Sequence, residues 1–350
     1  MVSAEPSDLV VRLAIGIGTG SMALTFAMLA GILAMRGLFH RMELRRQNFL
    51  SVWRPLFVQA LYDPPTELPR LSEEEKYLFL TLFNQYHSIV KGEGKKRLNA
   101  FADAANIRRF VLRTLINGSS RRRLAATHAA GLFREPIAFK YLVKEVASEN
   151  TAFSLAAASA MVNIDAARAV KKLIPLFARR DDWPASACER LLSEAGQGTV
   201  SGPLKDAVMG AGEADAPALI RLLNTAGEET ANECIRYWLG RTRSGEVISI
   251  CLQMIKDPRQ RNLAHGYLDH PIWYVRMQAV SALGRVGNRD DVEGIVRMLT
   301  DKEWWVRYRA AKTLAEMPHL APKKFDEIRN AQTDRYARDV LDYVAAVTGK

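Results

Sequence analysis

Leu268-Asp-His-Pro-Ile-Trp273-Tyr-Val275-Arg276-Met-Gln-Ala279-Val-Ser-Ala-Leu283 and Leu299-Thr-Asp-Lys-Glu-Trp304-Trp-Val306-Arg307-Tyr-Arg-Ala310-Ala-Lys-Thr-Leu314 are two copies of one pattern. Leu, Trp, Val, Arg, Ala and Leu recur at an offset of 31 residues. Between them, Asp290-Asp291-Val292-Glu293-Gly294-Ile295-Val296-Arg297-Met298-Leu299 keeps helical periodicity, so the repeating unit is a helix–turn–helix of about 31 residues. One such pair cannot bury its apolar face alone, and stacking neighbours builds a continuous core. The pattern therefore predicts an all-α protein, an α-solenoid of stacked helix pairs. Trp273, Trp304, Val275 and Val306 read as packing between repeats.

Weaker copies extend upstream. Arg123-Leu-Ala-Ala126 opens a first helix, and Ile137–Val146 is its second. Leu155–Val162 is followed by Ala166–Phe177. Ala216–Leu223 and Glu246–Ile255 read as second helices, with Thr230–Gly240 a first helix between them. Residues 185–212 carry glycines at 196, 198, 202, 210 and 212 and read as a distorted repeat or an exposed loop. Arg335–Val347 reads as a capping helix. Alternating strand patterns are absent.

These residues resemble HEAT repeats, in particular the short HEAT-like class shared with phycobilisome lyases. The signature is an acidic residue, Val-Arg, then Ala-Ala and Leu, seen here as Asp269…Val275-Arg276…Ala279…Leu283 and Asp301…Val306-Arg307…Ala310-Ala311…Leu314. The likeness is specific over 257–317 and loose over 121–256, where Leu155 and Ser186 replace the arginine. It implies a curved solenoid in which acid and arginine link neighbouring repeats, so Arg276 and Arg307 are expected to be structural. It also implies that second helices line the concave face. There Lys144, Pro175, Arg221, Gln253 and Arg297 fall at one repeat position, and Lys144, Arg221 and Arg297 are candidates for a stripe that binds an acidic partner.

The N-terminal segment has a different composition. Leu13 to Met35 holds no charge over 23 residues, enough for a helix to cross a hydrocarbon core of about 30 Å. Glu5, Asp8 and Arg12 precede it, and Arg36, Arg41, Arg45 and Arg46 follow, opposed by Glu43. The positive-inside rule then places the N-terminus outside and the remainder in the cytoplasm. A cleaved signal peptide needs a basic leader and a shorter apolar stretch. Gly16, Gly20, Ala27 and Gly31 are small residues at spacings that allow a second copy to pack closely. Leu38, Leu44, Phe49, Trp53 and Phe57 predict an amphipathic helix at the membrane surface, with arginines toward anionic headgroups. Asp63 to Pro69 is the linker, and Ser72-Glu-Glu-Glu75 is a capping box opening a helix to about Val90. Another helix is expected from about Lys95 to Ile116.

The expected organisation is thus 1–36 N-terminal segment and transmembrane anchor, 37–70 juxtamembrane helix and linker, 71–120 helical cap region, 121–317 solenoid, and 318–350 capping helix. Three cysteines without CxxC spacing argue against disulfide or zinc frameworks. The six histidines show no metal spacing, so no metal, cofactor or catalytic residue is expected. Formal charge is +11, and 91–123 holds ten basic residues against Glu93 and Asp103. Lys95, Lys96, Arg97, Arg121, Arg122 and Arg123, with Arg41, Arg45 and Arg46, are candidates for lipid or acidic-partner contact; a solvated face is the alternative. Together these features predict a membrane-anchored scaffold or adaptor rather than an enzyme. It would hold a protein partner at the cytoplasmic face of a bacterial inner membrane, in an envelope, polysaccharide or signalling complex. A basic nucleic-acid-binding protein and a lyase-like enzyme are the alternatives.

Overall fold

The computed structural model describes residues 6–63, 65 and 67–348, and every regular element among them is helical. Glu5, Pro64 and Thr66, and the side chains of Asp8 and Arg12, lie outside the described residues. The chain divides into two compact units, Met1–Ala129 and Ala130–Lys350.

The first unit comprises α1 (Pro6–Gln59), α2 (Glu73–Ile89), α3 (Glu93–Ala104), α4 (Ile107–Asn117) and most of α5 (Ser120–Leu132). At 1.5 Å per residue, the 54 residues of α1 span about 80 Å. No break separates its apolar N-terminal part from the part expected to lie along a membrane surface. Phe49, Trp53 and Phe57 follow at four-residue steps, so they share one face of the helix. All three are buried. Trp53 meets Phe79 edge-on at 5.1 Å, and Phe57 meets Phe101 at 5.1 Å. This aromatic knot joins α1 to α2 and α3, a role in packing where the sequence suggested a role toward lipid. Leu38 and Leu44, from the same predicted set, are exposed. The capping box forms as expected: Ser72 Oγ accepts from the Glu75 amide, and the Glu75 carboxylate accepts from the Ser72 amide. The helix expected over 95–116 is two, because Asn106 sits at φ 55 and breaks it.

The second unit continues with α6 (Phe139–Glu145), α7 (Thr151–Ile164), α8 (Ala166–Phe177), α9 (Ala185–Ala195), α10 (Gln197–Gly210), α11 (Ala216–Arg221), α12 (Glu228–Leu239), α13 (Gly245–Met254), α14 (Arg261–His265), α15 (Trp273–Val286), α16 (Val292–Arg297), α17 (Trp304–Glu316), α18 (Pro322–Ala331) and α19 (Arg335–Thr348). Helices two apart in the chain stack on each other: α7 on α9, α11 on α13, α13 on α15, α15 on α17 and α17 on α19. The even-numbered helices form the second layer, with α8 on α10 and α10 on α12. This is the stacking that defines a solenoid, and the last pair continues it.

Residues 185–212 are the repeat of the two readings and not the exposed loop: α9 and α10 form a helix pair. Gly196 takes φ +87 at the joint, a conformation open to glycine, and so turns α9 into α10 without a longer connection. Missing the single short helix α14 shifts the count of alternating helices by one. The structure consequently places α11 and α13 in the layer of α15 and α17, where the sequence pattern made them second helices.

Within each layer, successive helices are tied by polar side chains reaching about one repeat along the chain. Trp183 Nε1 donates to Ser154 Oγ at 2.9 Å, and Trp238 Nε1 donates to the Val208 carbonyl at 2.9 Å. Gln260 reaches the Asn232 carbonyl, Tyr267 the Leu239 carbonyl, and Arg285 the Leu252 carbonyl. The Val208, Leu239 and Leu252 carbonyls lie in the last turns of α10, α12 and α13, where the helix supplies no partner of its own.

Candidate partner-binding surfaces

Arg276 is the strongest of these ties. Its Nε and Nη2 donate to the two oxygens of Asp301 at 2.6 and 2.7 Å, and its Nη1 donates to the carbonyls of His270 and Pro271. Both side chains are buried, at 8% and 6% exposure. Burial alone disfavours the ionised Asp301. The Arg276 fork and the Glu303 amide outweigh it and hold the carboxyl below its usual range. The same pairing raises the Arg276 guanidinium. Arg307 does otherwise. It donates to the carbonyls of Asp301 and Lys302 and lies over the Tyr336 ring at 5.6 Å. Arg276 is therefore the expected cross-repeat link, whereas Arg307 fastens the start of its own helix.

The two repeat tryptophans are not core residues. Val275 and Val306 are fully buried, but Trp273 and Trp304 are 37% and 46% exposed. The reason is helical phase. Residues two apart point about 200° apart around the axis, so Trp304 and Val306 take opposite faces. Val306, Ala310 and Leu314 follow the inner face of α17. Trp304 and Tyr308 follow the outer one, stacked at 5.1 Å and nearly parallel. Trp305 abuts Trp304 edge-on at 4.8 Å. Tyr343 on α19 lies 6.2 Å from Tyr308. Trp305, Tyr336 and Tyr343 are all more than half exposed. An aromatic face thus joins α17 and α19; on α15, Trp273 and Tyr274 pair edge-on with each other. Trp305, Tyr308, Tyr336 and Tyr343 escaped the sequence reading. The i, i+4 spacing of Trp304 and Tyr308, out of phase with Val306 and Ala310, was the available signal.

The basic candidates separate into different places. Lys144, Arg221 and Arg297 are exposed, but Arg221 lies on α11 in the odd-numbered layer. Lys144 and Arg297 lie on α6 and α16, with α8, α10, α12 and α14 between them in the chain's alternation. They form no stripe, because the helix count that aligned them had slipped. In the first unit, Arg97 Nη1 donates to the carbonyls of Leu61 and Tyr62 at 2.7 and 2.8 Å, closing the end of α1. Its role is in the fold. Arg45 pairs with Glu74, Arg46 with Glu43 and Lys96 with Glu93, all exposed pairs. Arg122 lies over the Tyr77 ring. Lys95 and Arg123 are half-buried, and Arg41 and Arg121 are exposed.

Along α1, the side chains between Leu13 and Met35 are exposed. Gly16, Gly20, Ala27 and Gly31 are among them. Among the described residues, one helix, Leu13–Gln59, is long and apolar enough to cross a membrane by length and composition. The three cysteines are buried, and burial pushes the Cys188 and Cys234 thiols to about 11 and Cys251 to about 12. They stay protonated at neutral pH and are poor nucleophiles.

Residues 261–342 match the family model for HEAT repeats. No curated protein matches the chain. Among solved structures, Kap121p bound to Nup53p is similar at 13% identity with a TM-score of 0.52. That match covers 84% of this chain and 37% of Kap121p, so the chain spans little more than a third of it. The complex of CpcE and CpcF of phycocyanin lyase from Nostoc matches at 18% identity and a TM-score of 0.31, covering 81% of this chain and 98% of that one. The first likeness agrees with the stacking of the second unit as a HEAT-type solenoid.

Proposed function

We propose that this protein is a membrane-tethered scaffold that holds a protein partner on the aromatic face of α17 and α19, and does not transform a small molecule. The observation that carries the reading is that face. Exposed tryptophan and tyrosine beside arginine are the residues that dominate binding energy at protein interfaces, and a soluble surface seldom leaves them clustered without use. Kap121p, which shares the solenoid fold, is bound to another protein in the structure that resembles this chain.

The tether is the apolar part of α1. Its side chains are exposed in the chain itself and suit a hydrocarbon environment. Arg36, Arg41, Arg45 and Arg46 on its C-terminal side favour an orientation with both units' remaining helices in the cytoplasm of a bacterium.

Purification of the full chain in detergent from cross-linked membranes tests both parts. The expected result is a membrane-embedded protein with a partner whose recovery falls about tenfold or more in a W304A/W305A variant. Extraction of the chain by alkaline carbonate would overturn the tether. Undiminished partner recovery in the variant would overturn the docking face.

A further inference from the structure

The even-numbered layer carries a cleft that the aromatic face does not explain. Lys140 on α6 and Arg168, Lys171 and Lys172 on α8 ring a hollow of about 380 Å³ whose apolar wall is Phe139 and Val143. Lys171 continues into an adjoining hollow between α8 and α10, lined by Pro175, Pro203 and Asp206. No carboxylate lines the first hollow. Arg168 has a distant partner in Asp165, 3.8 Å away on its own helix. Lys140, Lys171 and Lys172 make no ion pair among the described residues.

We infer that this cleft binds an acidic polypeptide segment carrying at least one apolar side chain, with the carboxylates over α6 and α8. The inference rests on reading the second unit as a protein-binding scaffold, and it names the chemistry of one bound segment. The four cations outnumber the one carboxylate beside them, Asp165, and favour a negatively charged ligand, while Val143 and the lysine stems leave an apolar wall for a hydrophobic side chain. The Arg168 guanidinium covers the Phe139 ring at 4.4 Å, so no open ring is left among the lining residues to stack a base. The two hollows share Lys171 and cross three helices. Helix spacings of about 8–10 Å give a track of about 16–20 Å, the reach of five or six extended residues. Asp206 at the far end repels a carboxylate there and so fixes the direction of the segment.

Fluorescence anisotropy on the full chain in detergent, with a labelled Asp/Glu-rich peptide bearing spaced leucines, tests the assignment. Binding is expected to weaken with added salt. It should fall in K140Q/K171Q/K172Q and drop by about tenfold or more in K140E/K171E/K172E. Because these lysines are exposed, both variants keep the helical circular dichroism of the parent. The W304A/W305A variant should bind the peptide as the parent does. Equal affinity in the charge-reversed chain overturns the assignment. So does loss of peptide binding in W304A/W305A, or parent-chain preference for a single-stranded oligonucleotide or phosphatidylglycerol vesicles over the peptide. Peptide binding without any co-purified partner would keep the cleft and remove the scaffold reading; a partner lost in W304A/W305A without peptide binding would do the reverse.

Discussion

The layers α15–α17 and α7–α9 perform the same structural task with different sequences. In the first, the repeat is written twice in nearly the same letters, and a buried Arg276–Asp301 pair joins α15 to the turn before α17. In the second, Trp183 donates to Ser154 in a neutral hydrogen bond, and the ion pair beside it, Arg180–Asp182, is local to one turn, with Thr151 of α7 donating to its carboxylate. Arg180 adds bonds to the carbonyls of Val146 and Ser148. What recurs through the unit is a polar reach of about one repeat that satisfies the end of a neighbouring helix. The residue that makes the reach is free to change. Family likeness is therefore concentrated in 261–342, while the stacking extends well upstream of it.

The sharpest way to break the comparison is to remove one half of each joint. Arg276→Ala leaves the Asp301 carboxylate buried among α15 and α17 without its cation. The expected cost is about 3–5 kcal/mol, the usual result of orphaning one partner of a buried ion pair. Chemical denaturation read by circular dichroism checks it. Replacing both residues by apolar ones, R276M/D301L, should recover most of the loss. The joint also carries a pH signature. The folded Asp301 carboxyl titrates below its unfolded value of about 3.9, so its contribution is complete above that pH and fades as pH falls toward the folded value. A parent chain whose stability is flat in acid down through that range would contradict the pairing.

The neutral tryptophan hydrogen bonds should cost less. Trp238→Phe keeps most of the ring and deletes the Nε1–H that reaches the Val208 carbonyl. A loss of about 1–3 kcal/mol is expected, because a buried acceptor is left unpaired. The same denaturation experiment reads it. A cost equal to that of Arg276→Ala would mean that charge is not what makes the Arg276–Asp301 link the stronger bond.

The contrast also explains how much of the molecule could be read in advance. The solenoid class, the capping box at Ser72 and the Arg276 link follow from local patterns: a period of 31, a Ser-x-x-Glu spacing and an acid–arginine register. The pair α9–α10 did not, because glycines that punctuate a chain elsewhere sit inside α10, and Gly196 makes a turn with no spare residues. The short α14, missed between α13 and α15, displaced the Lys144–Arg221–Arg297 register, since a slip of one helix moves a residue to the other layer. The cluster Arg168, Lys171 and Lys172 was in plain view on α8, but its significance depends on Lys140 of α6 lying across the cleft. Tertiary proximity of that kind has no signal in spacing along the chain. The aromatic knot of Phe49, Trp53 and Phe57 was misplaced for a related reason. An amphipathic face shows that something apolar covers it, and sequence alone does not say whether that is lipid or α2.

The smallest expected effect separates packing from docking at the repeat tryptophans. Trp304 and Val306 stand two residues apart and are both part of the repeated pattern, so a reading by pattern gives them equal weight. The structure gives Val306 to the core and Trp304 to the outer face. Val306→Ala should therefore cost about 1–3 kcal/mol through lost burial and a residual cavity. Trp304→Ala should cost no more than about 1 kcal/mol, because it forfeits the stack on Tyr308 and leaves the core filled. Parallel melts of the two variants decide the matter. If Trp304→Ala proves the more damaging, the tryptophans are packing residues after all, and the aromatic face loses its claim to be a surface kept for a partner.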